Sequence, residues 1–379
     1  MGDAHRIGVV GLGVISRAYL DTLAGRSAVR VTAVADLDAS RSAAVAAELP
    51  GVRALTVEEL LSSPDVDTVL NLTTPGAHAA IALGAIGHGK HVYGEKPLAA
   101  TLADAHAVMA AAAQAGVGVG CAPDTVLGTG VQTARAALAA GRTGRPLFAS
   151  AVMVTPGHER WHPHPDFYYT EGGGPLLDMG PYYLASLVHL LGPVRAVTGA
   201  SSRLRAERVI GSGPRTGERI PVEVDSHVSG VLEHVGGTLT TITTSFDGVA
   251  TTASPIEVHG EVGTLAVPDP NRFDGDVRLF ELGDTQWRTL PPSAGYVDAA
   301  RGVGLLDFIA ADGQRAPRAN GELALHVVET MTALLRSSAE GRRIELTTSA
   351  EPPAPVPLTA AEEWGGADEW GGRAAPSPA

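Results

Sequence analysis

Several features are scarce in this sequence of 379 residues, and each scarcity excludes a class of protein. The single cysteine, Cys121, excludes an intramolecular disulfide, and we assign its thiol no role. No apolar run approaches the roughly 20 residues that a membrane-spanning helix needs. The first residues enter a strand pattern directly rather than a signal peptide. We therefore expect a soluble, cytoplasmic protein with no membrane partner.

Positive charge is also scarce, because 28 Lys and Arg residues face 41 Asp and Glu, giving a formal net charge of −13. Proteins that bind nucleic acid need a basic surface to displace counterions from phosphates, so we expect no nucleic-acid partner. Only two of the basic residues are lysines, Lys90 and Lys96. Lysine can lose its proton whereas arginine effectively cannot, which makes a sparingly used lysine a candidate for chemistry.

The first third of the chain predicts a doubly wound α/β domain. Short apolar runs alternate with helical stretches, which is typical of βαβ units and a parallel sheet. The predicted strands are Ile7 to Val10, Val31 to Ala35, Val69 to Leu72, His91 to Tyr93 and Val117 to Gly120. Thr56 to Glu59 and Thr101 to Asp104 have the spacing of capping boxes, and Pro75 suits a first helical turn.

The remainder, after a helix from about Gly128 to Ala140, predicts a second α/β domain with a large, mainly antiparallel open sheet. Apolar alternation on both sides of Gly236-Gly237 predicts a hairpin, and the stretch from Ile256 to Val267 predicts another. Leu323, Val327, Met331 and Leu334 share one face of a helix that ends before Gly341. The open sheet suggests a homodimer or homotetramer.

We place the domain boundaries at 1–123 and 124–350, followed by a tail of residues 351–379. The tail is rich in Pro, Ala and Gly and repeats Glu-Trp-Gly-Gly, at Glu363 and at Glu369. Such a composition buries too little apolar surface to offset the entropy of ordering, so we predict disorder. In the alternative, its tryptophans dock on a partner subunit.

A glycine-rich turn after the first strand predicts a dinucleotide site in a Rossmann domain. Gly11 makes the turn, Gly13 lets the backbone approach a pyrophosphate, and Val14 and Ile15 lead into a helix whose N-terminus faces the negative charge. Ser16 takes the place of the usual third small residue.

The choice of dinucleotide rests on the end of the second strand, where Asp36 is placed to accept the ribose hydroxyls of NAD. A 2′-phosphate would meet a like charge there, and neighbouring Leu37 offers no cation, so we predict NAD over NADP. Arg41 keeps NADP open as an alternative, because it could turn toward a phosphate.

Glu95-Lys96-Pro97 follows the fourth predicted strand at the carboxyl edge of the sheet, where such folds bind ligands. A primary amine at this edge can stabilise negative charge on a reacting oxygen. We therefore predict a catalytic role for Lys96 rather than that of a surface lysine in a turn.

These motifs together resemble the glucose-fructose oxidoreductase, inositol dehydrogenase and rhizopine-catabolism family, known as Gfo/Idh/MocA. The resemblance spans about Arg6 to Leu346. It rests on the motifs GLGVIS, NLTTP with His78, GKHVYGEKPLA and GGGPLLDMGPYYLASLVHLLG, the last from Gly172 to Gly192.

The resemblance implies three catalytic residues, which in this sequence are Lys96, Asp178 and Tyr182. Family members commonly carry histidine at the last position, although glucose-fructose oxidoreductase and the dimeric dihydrodiol dehydrogenases are similar in having tyrosine. A phenol beside an ammonium favours its phenolate, so Tyr182 is expected to act as general acid/base. Alternatives are a helix N-cap for Asp178 and apolar packing for Tyr182.

The same resemblance implies that Thr73, Thr74, Pro75 and His78 line the cofactor, and that Glu95 lies near the nicotinamide ribose together with Lys96. The segment from Gly120 to Asp124 departs from the family pattern, which leaves the substrate pocket there open.

We expect Lys96, Asp178 and Tyr182 to contact the substrate, together with Asp124. A loop rich in side chains of the kind that bind sugars should contribute further contacts. The alternative is that this loop is polar but has no function. The loop residues are Arg160, Trp161, His162, His164 and Asp166. We predict no metal, because nothing completes a tetrahedral set around the histidines. Arg301, Asp307 and His326 are further candidates for the cleft.

The sequence thus predicts an NAD-dependent oxidoreductase acting on a ring hydroxyl or ketone carbon of a sugar, glycoside or cyclitol. One alternative is an enzyme that holds NAD tightly and recycles it, through transient oxidation, in an epimerisation or a glycosidic elimination. Another is a cofactor-binding regulator without catalysis.

Overall fold

Two sheets organise the computed structural model, which describes residues 4–311 and 315–365. The first sheet is built from β1 (His5–Val10), β2 (Val29–Ala35), β3 (Arg53–Ala54), β4 (Thr68–Asn71), β5 (His91–Gly94) and β6 (Val119–Cys121). All its strands are parallel, in the order β3-β2-β1-β4-β5-β6. The order reverses between β1 and β4, so the carboxyl ends of these two strands flank the crevice in which such sheets bind ligands.

Helices connect these strands, which confirms the predicted doubly wound α/β fold. They are α1 (Ser16–Leu23), α2 (Ala39–Glu48), α3 (Val57–Ser62), α4 (Pro75–Gly87) and α5 (Leu102–Ala115). The predicted capping box at α3 is present, with Thr56 and Glu59 bonded reciprocally. At α5 the Thr101 side chain accepts from the backbone of Asp104, and Pro75 begins α4.

The second sheet has nine strands in the order β16-β15-β14-β13-β7-β12-β11-β8-β17. Their bounds are β7 (Pro146–Val154), β8 (Val194–Ser202), β11 (His227–His234), β12 (Leu239–Ser245), β13 (Ile256–Gly260), β14 (Gly263–Val267), β15 (Val277–Glu281), β16 (Arg288–Leu290) and β17 (Ile344–Glu345). A separate ribbon pairs β9 (Glu207–Val209) with β10 (Arg219–Pro221). Only β7 and β12 are parallel in the nine-stranded sheet, and both predicted hairpins, β11–β12 and β13–β14, are present.

Helices cover one face of this sheet. They include α6 (Thr129–Ala139), α7 (Pro175–Leu191) and α9 (Gly321–Glu340), whereas α8 (Val303–Ala311) packs on β6 of the first sheet. Helix α7 packs on β11 and β12, and α9 packs on β8. The predicted apolar face of α9 is buried, and the helix ends at Gly341 in a left-handed conformation. No helix within the described ranges is long and apolar enough to span a bilayer.

The disorder predicted from residue 351 onward is wrong for residues 351–365, which lie against the body and include α10 (Ala361–Gly365). The Val356 amide donates to Gln132 Oε1 over 3.0 Å, and the Trp364 indole donates to the Val297 carbonyl over 2.7 Å. Hydrogen bonds and ring contacts stabilise this segment although it has little apolar surface to bury. The rest of the predicted tail, with the second Glu-Trp-Gly-Gly, lies outside the described residues.

Candidate active site

The glycine turn between β1 and α1 forms a close-fitting cradle. Gly11 has φ +94°, and a Cβ there would lie 2.7 Å from the Leu72 carbonyl, so only glycine fits. A Cβ at Gly13 would meet open space, and Val14 is 97% exposed. The Ser16 hydroxyl donates to the Gly13 carbonyl over 2.7 Å, which fixes the turn at the start of the helix. The turn thus presents open backbone at a helix N-terminus, a geometry that suits a pyrophosphate.

Asp36 follows β2 and points at this turn. Its carboxylate accepts from the Leu12 amide over 2.7 Å and from the Asp38 amide over 2.9 Å. Arg41 lies 3.5 Å from the Asp38 carboxylate and 4.0 Å from that of Asp36, while Leu37 is fully solvent-exposed. The glycine turn and this carboxylate together fit a dinucleotide.

The buried side chain of Asn71 holds the segment that follows β4. Asn71 donates to the His78 carbonyl over 3.0 Å and accepts from the Thr73 hydroxyl over 2.6 Å. Thr74 is the N-cap of α4 and Pro75 its first residue, and both are exposed at the sheet edge. This edge lies beside the glycine turn, because β4 neighbours β1.

Lys96 reaches from the end of β5 to helix α7 and joins the two domains. Its ammonium donates to the Asp178 carboxylate over 2.8 Å and to the Asp178 carbonyl over 2.6 Å. It also lies 5.1 Å from the centre of the Tyr182 ring. Asp178 and Tyr182 are one turn apart on α7, which presents both to the lysine. Glu95, the residue before Lys96, accepts a hydrogen bond from the Tyr19 hydroxyl over 2.8 Å.

The charges of the lysine and the aspartate stabilise each other. Burial alone would raise the pKa of Asp178, but the Lys96 ammonium and the hydrogen bond from His158 lower it to about 2. Burial would lower the pKa of Lys96, yet Tyr182 and Asp178 raise it above its ordinary value. Both groups are therefore charged at neutral pH.

Tyr182 does not have the lowered pKa that its position beside an ammonium predicted. Burial raises the pKa of Tyr182 above its ordinary value, and the nearby cations Lys96 and Arg301 offset this only in part. The neighbouring cations favour the phenolate, but desolvation of a buried phenolate outweighs their attraction. Tyr182 carries its proton at neutral pH.

His158 completes the site and was missed, although it belongs to the loop that the sequence had singled out. Its Nε2 lies 3.1 Å from the second Asp178 carboxylate oxygen, and its Nδ1 lies 3.3 Å from the Trp161 indole nitrogen. Because an indole only donates, Nδ1 accepts and Nε2 carries the proton. Next to it, buried Glu159 anchors the loop by accepting from Tyr169 and from Arg208.

The amino-acid sequence is similar to those of known oxidoreductases along both domains. Residues 5–122 match the family model described as "Oxidoreductase family, NAD-binding Rossmann fold", and residues 131–266 match "GFO/IDH/MocA C-terminal domain". The chain is 30% identical to 1,5-anhydro-D-fructose reductase of Ensifer adhaerens over 353 residues, which cover 91% of this chain and 99% of the relative. The chain belongs to the Gfo/Idh/MocA oxidoreductase family.

Two solved structures share the fold of this protein along nearly the whole chain. An NAD-binding oxidoreductase from Klebsiella pneumoniae superposes with a TM-score of 0.79 at 24% identity, covering 91% of this chain and 100% of its own. The WlbA dehydrogenase from Bordetella pertussis, solved with NADH and UDP-GlcNAcA, gives a TM-score of 0.73 at 20% identity and covers 91% and 99%. The family models identify the chain as an NAD-binding oxidoreductase, and these structures share its fold.

Three candidates of the Gfo/Idh/MocA site lie elsewhere than expected. His78 is buried, with its ring nitrogens 2.9 Å from the Thr73 carbonyl and 2.6 Å from the Pro97 carbonyl, so it braces the cofactor side without facing it. Asp307 is buried against Arg315 and Arg318, and His326 lies on the buried side of α9. Neither of the last two reaches the cleft.

Asp124 also requires a correction. Its side chain has no exposed surface, and it accepts from the Gly302 amide over 2.7 Å and from the Gly304 amide over 3.2 Å. A direct contact with substrate is closed to such a group. Asp124 instead lies 3.8 Å from Arg301, whose guanidinium donates to the Tyr182 hydroxyl over 3.3 Å. Of the further candidates, Arg301 therefore belongs to the site.

The loop expected to contact substrate lies beside His158. Trp161 is 58% exposed and its indole nitrogen faces His158. The His162 ring accepts from the His164 amide over 3.1 Å, and Arg160 and His164 are exposed. Asp166 is paired with Arg215 over 2.6 Å rather than open to a ligand. No His, Cys, Asp and Glu residues of the described ranges are grouped as a metal site.

A cavity of about 1100 Å³ opens beside the glycine turn that precedes α7. Its walls include Thr101, Glu171, Arg203, Glu223 and Asp225. Lys96, Asp178 and Tyr182 do not line it. This cavity is therefore distinct from the charged cluster between β5 and α7.

Proposed function

We propose that this protein transfers a hydride between NAD(H) and a ring carbon of a sugar, glycoside or cyclitol, oxidising a hydroxyl or reducing a ketone. The arrangement of Lys96, Asp178 and Tyr182 supports this proposal most directly. It combines an ammonium, a carboxylate that holds it and a phenol at the carboxyl edge of the dinucleotide-binding sheet.

In this mechanism the bound cofactor supplies or accepts the hydride. Lys96 stabilises the negative charge that develops on the reacting oxygen, and Asp178 fixes the direction of its ammonium. Tyr182 exchanges the proton with that oxygen. Because the phenol carries its proton at neutral pH, it is ready to protonate the oxygen of a ketone, and alkaline pH favours the reverse step, in which the phenolate accepts the hydroxyl proton.

NAD rather than NADP is the proposed cofactor. The Asp36 carboxylate follows β2 and points at the glycine turn, so it would accept the ribose hydroxyls of NAD and repel a 2′-phosphate. Arg41, the cation that could compensate, is directed to the Asp38 and Asp36 carboxylates instead. The WlbA structure, with its bound NADH, gives this choice further support.

The substrate class is inferred from relatives and from the loop. The 1,5-anhydro-D-fructose reductase is named for a sugar derivative, and WlbA was solved with UDP-GlcNAcA. Exposed Trp161 offers a flat apolar face of the kind on which sugar rings stack.

The nine-stranded sheet has half-exposed Phe148 and Leu239 opposite each other, so we propose assembly into a homodimer or homotetramer through this face.

The test is an assay of NAD and NADP reduction against inositols, aldoses, glycosides and anhydro sugars, with Lys96→Met compared to the wild type. We expect turnover with NAD to fall about a hundredfold to a thousandfold in Lys96→Met, because one donor to the oxyanion is lost. NADH binding, measured by calorimetry, should stay nearly unchanged.

Lys90→Met is the matched control, since Lys90 lies just before β5, donates to the Ser63 carbonyl over 2.6 Å, and should leave turnover intact. Loss of NADH binding together with turnover would make Lys96 a cofactor anchor. A preference for NADP would contradict the role of Asp36. Silence across the panel, with NAD that co-purifies and does not exchange, would favour the self-recycling alternative.

A further inference from the structure

Tyr182 has a second cation beside it, which comes from a distant part of the chain. The Arg301 guanidinium lies 5.2 Å from the centre of the Tyr182 ring and donates to the hydroxyl oxygen over 3.3 Å. Within residues 4–311 and 315–365 the hydroxyl makes no other hydrogen bond to protein. Its oxygen thus accepts from arginine while its own proton is left for a ligand.

Arg301 is held rigidly in this position. Its Nη2 also donates to Asn271 Oδ1 over 2.8 Å, and the Phe273 ring lies 5.7 Å from the guanidinium. Its Nη1 is buried and faces the Asp124 carboxylate at 3.8 Å. Burial raises the pKa of Asp124, while Arg301 and the backbone amides of Gly302 and Gly304 oppose this rise. The side chain as a whole is 17% exposed.

These contacts leave Arg301 little capacity to bind a substrate directly. Nη2 already donates to Tyr182 and Asn271, and Nη1 is buried beside the Asp124 carboxylate. The arginine charge therefore acts mainly on the phenol. An arginine is suited to this, because it stays protonated at any pH at which the enzyme would work.

We propose that Arg301 is a positioning residue of this site, which acts through Tyr182: its guanidinium stabilises the phenolate and so sets how readily the hydroxyl gives up and regains its proton. This inference rests on the proposed function, in which Tyr182 is the acid/base group. In ketone reduction the proton leaves the phenol for the substrate oxygen, and the negative charge left on Tyr182 lies against the guanidinium. In the reverse direction the phenolate accepts the hydroxyl proton.

The charges that face Tyr182 determine the expected direction of the effect. Lys96, from the end of β5, and Arg301, from the loop before α8, favour the phenolate. Glu95, beside Lys96, and Asp178, on the same helix as Tyr182, disfavour it, and burial disfavours it most. Removing one of two cations should therefore raise the pKa of Tyr182 further and make the phenolate rarer at any given pH.

The experiment measures this pKa without a substrate. Fluorinated tyrosine, whose phenol titrates at lower pH, is incorporated into the protein, and fluorine NMR follows each ring against pH. The resonance of residue 182 is assigned by its loss in Tyr182→Phe. We expect Arg301→Met to raise the pKa of residue 182 by about one unit, the equivalent of a tenfold change in the phenolate fraction. Arg301→Lys should raise it less, because the charge is kept.

Arg272→Met is the matched control, since Arg272 lies on the loop of Asn271 but is 71% exposed and paired with Asp274. It should leave the titration unchanged. Below the pKa, alcohol oxidation by Arg301→Met should slow by the same factor of about ten, with NADH affinity unchanged. Thermal melts identify variants that fail to fold. If Arg301→Met does not fold, the titration of Tyr182 in Arg301→Lys tests the proposal instead.

An unmoved titration in a folded Arg301→Met protein would overturn the proposal, as would equal shifts in Arg301→Met and Arg272→Met. Full activity of Tyr182→Phe would be a different result. It would refute the acid/base role of Tyr182 in the proposed function and would leave the titration of the phenol by itself to report on Arg301.

Discussion

At the scale of single residues, the site combines groups that oppose one another. Lys96 and Asp178 are almost enclosed, with exposed side-chain fractions of 15% and 18%, and each keeps its charge because the other is in contact. An isolated buried charge would be costly, so neither residue can be removed without exposing the other to that cost. Tyr182, in contrast, stays neutral until a proton is transferred, because burial of its phenol outweighs the two cations beside it.

His158 acts on this pair through Asp178, so it is a positioning residue. Its Nε2–H binds the carboxylate oxygen that Lys96 leaves free, and its ring is itself oriented by the Trp161 indole. A carboxylate held on both oxygens cannot rotate away from the lysine. The loop thereby links an exposed aromatic face, suited to a sugar, to the orientation of the ammonium.

We predict that His158→Leu lowers kcat about tenfold to a hundredfold, because a hydrogen bond to a charged group contributes about 1.5–3 kcal/mol. His158→Gln, whose amide can still donate to Asp178, should recover most of this loss. Steady-state kinetics and NADH binding on both variants check this. Equal loss in the Leu and Gln variants would mean that the ring only fills space. The exposed His106→Leu serves as control and should leave kcat unchanged.

At the scale of elements, helix α9 approaches the sheet unusually closely, at a pair of glycines. Gly199 of β8 and Gly230 of β11 are paired across the ladder, and a Cβ on either would overlap Leu334 of α9. Beyond the short strand β17, the helix also supplies hydrogen bonds to the free edge of β8. The Ser337 hydroxyl accepts from the Gly199 amide over 2.9 Å, and that of Ser338 from the Ser201 amide over 2.8 Å.

We predict that Gly199→Ala lowers the free energy of unfolding by about 1–3 kcal/mol, because the added methyl group must push the α9 backbone off the sheet. Denaturant unfolding measures this. Gly236→Ala, in the hairpin turn where a Cβ would meet open space, is the matched control and should change stability little. Similar losses in both variants would show that the close contact with α9 does not determine the cost of a side chain at Gly199.

The elements themselves were largely predictable from sequence, and their contacts were not. Apolar periodicity sufficed for the six-stranded domain and for α9, but β3 has only two residues and no pattern to detect. The family motif located Lys96 and Asp178, because it is local. Arg301 lies 119 residues after Tyr182 and meets it only through tertiary folding. Asp124, after β6, and His78, in the first turns of α4, were misjudged because a polar residue near a sheet edge can turn inward as well as outward.

At the scale of the whole molecule, the C-terminal segment 351–365 ties the site to both domains. It pairs with residues 294–297, where the Gly295 amide donates to the Val356 carbonyl over 3.0 Å and the Val297 amide donates to the Thr359 carbonyl over 3.0 Å. The Trp364 ring lies 4.7 Å from the guanidinium of Arg26, which belongs to the first domain. The loop so clamped leads directly into Arg301.

We predict that a chain ending at Ala350 unfolds more easily and loses activity, whereas a chain ending at Gly365 behaves like the full protein. The shorter chain leaves the buried Gln132 carbonyl oxygen and the Arg318 guanidinium without partners that residues 354–356 now supply. Unsatisfied buried groups cost about 1–3 kcal/mol each, so the free energy of unfolding should fall by about 3 kcal/mol or more. Freed from its clamp, the loop should hold Arg301 less firmly, so the titration of Tyr182 should shift toward that of Arg301→Met. If the Ala350 chain matched the Gly365 chain in denaturant unfolding, kcat and phenol titration, the segment would have no part in the active site.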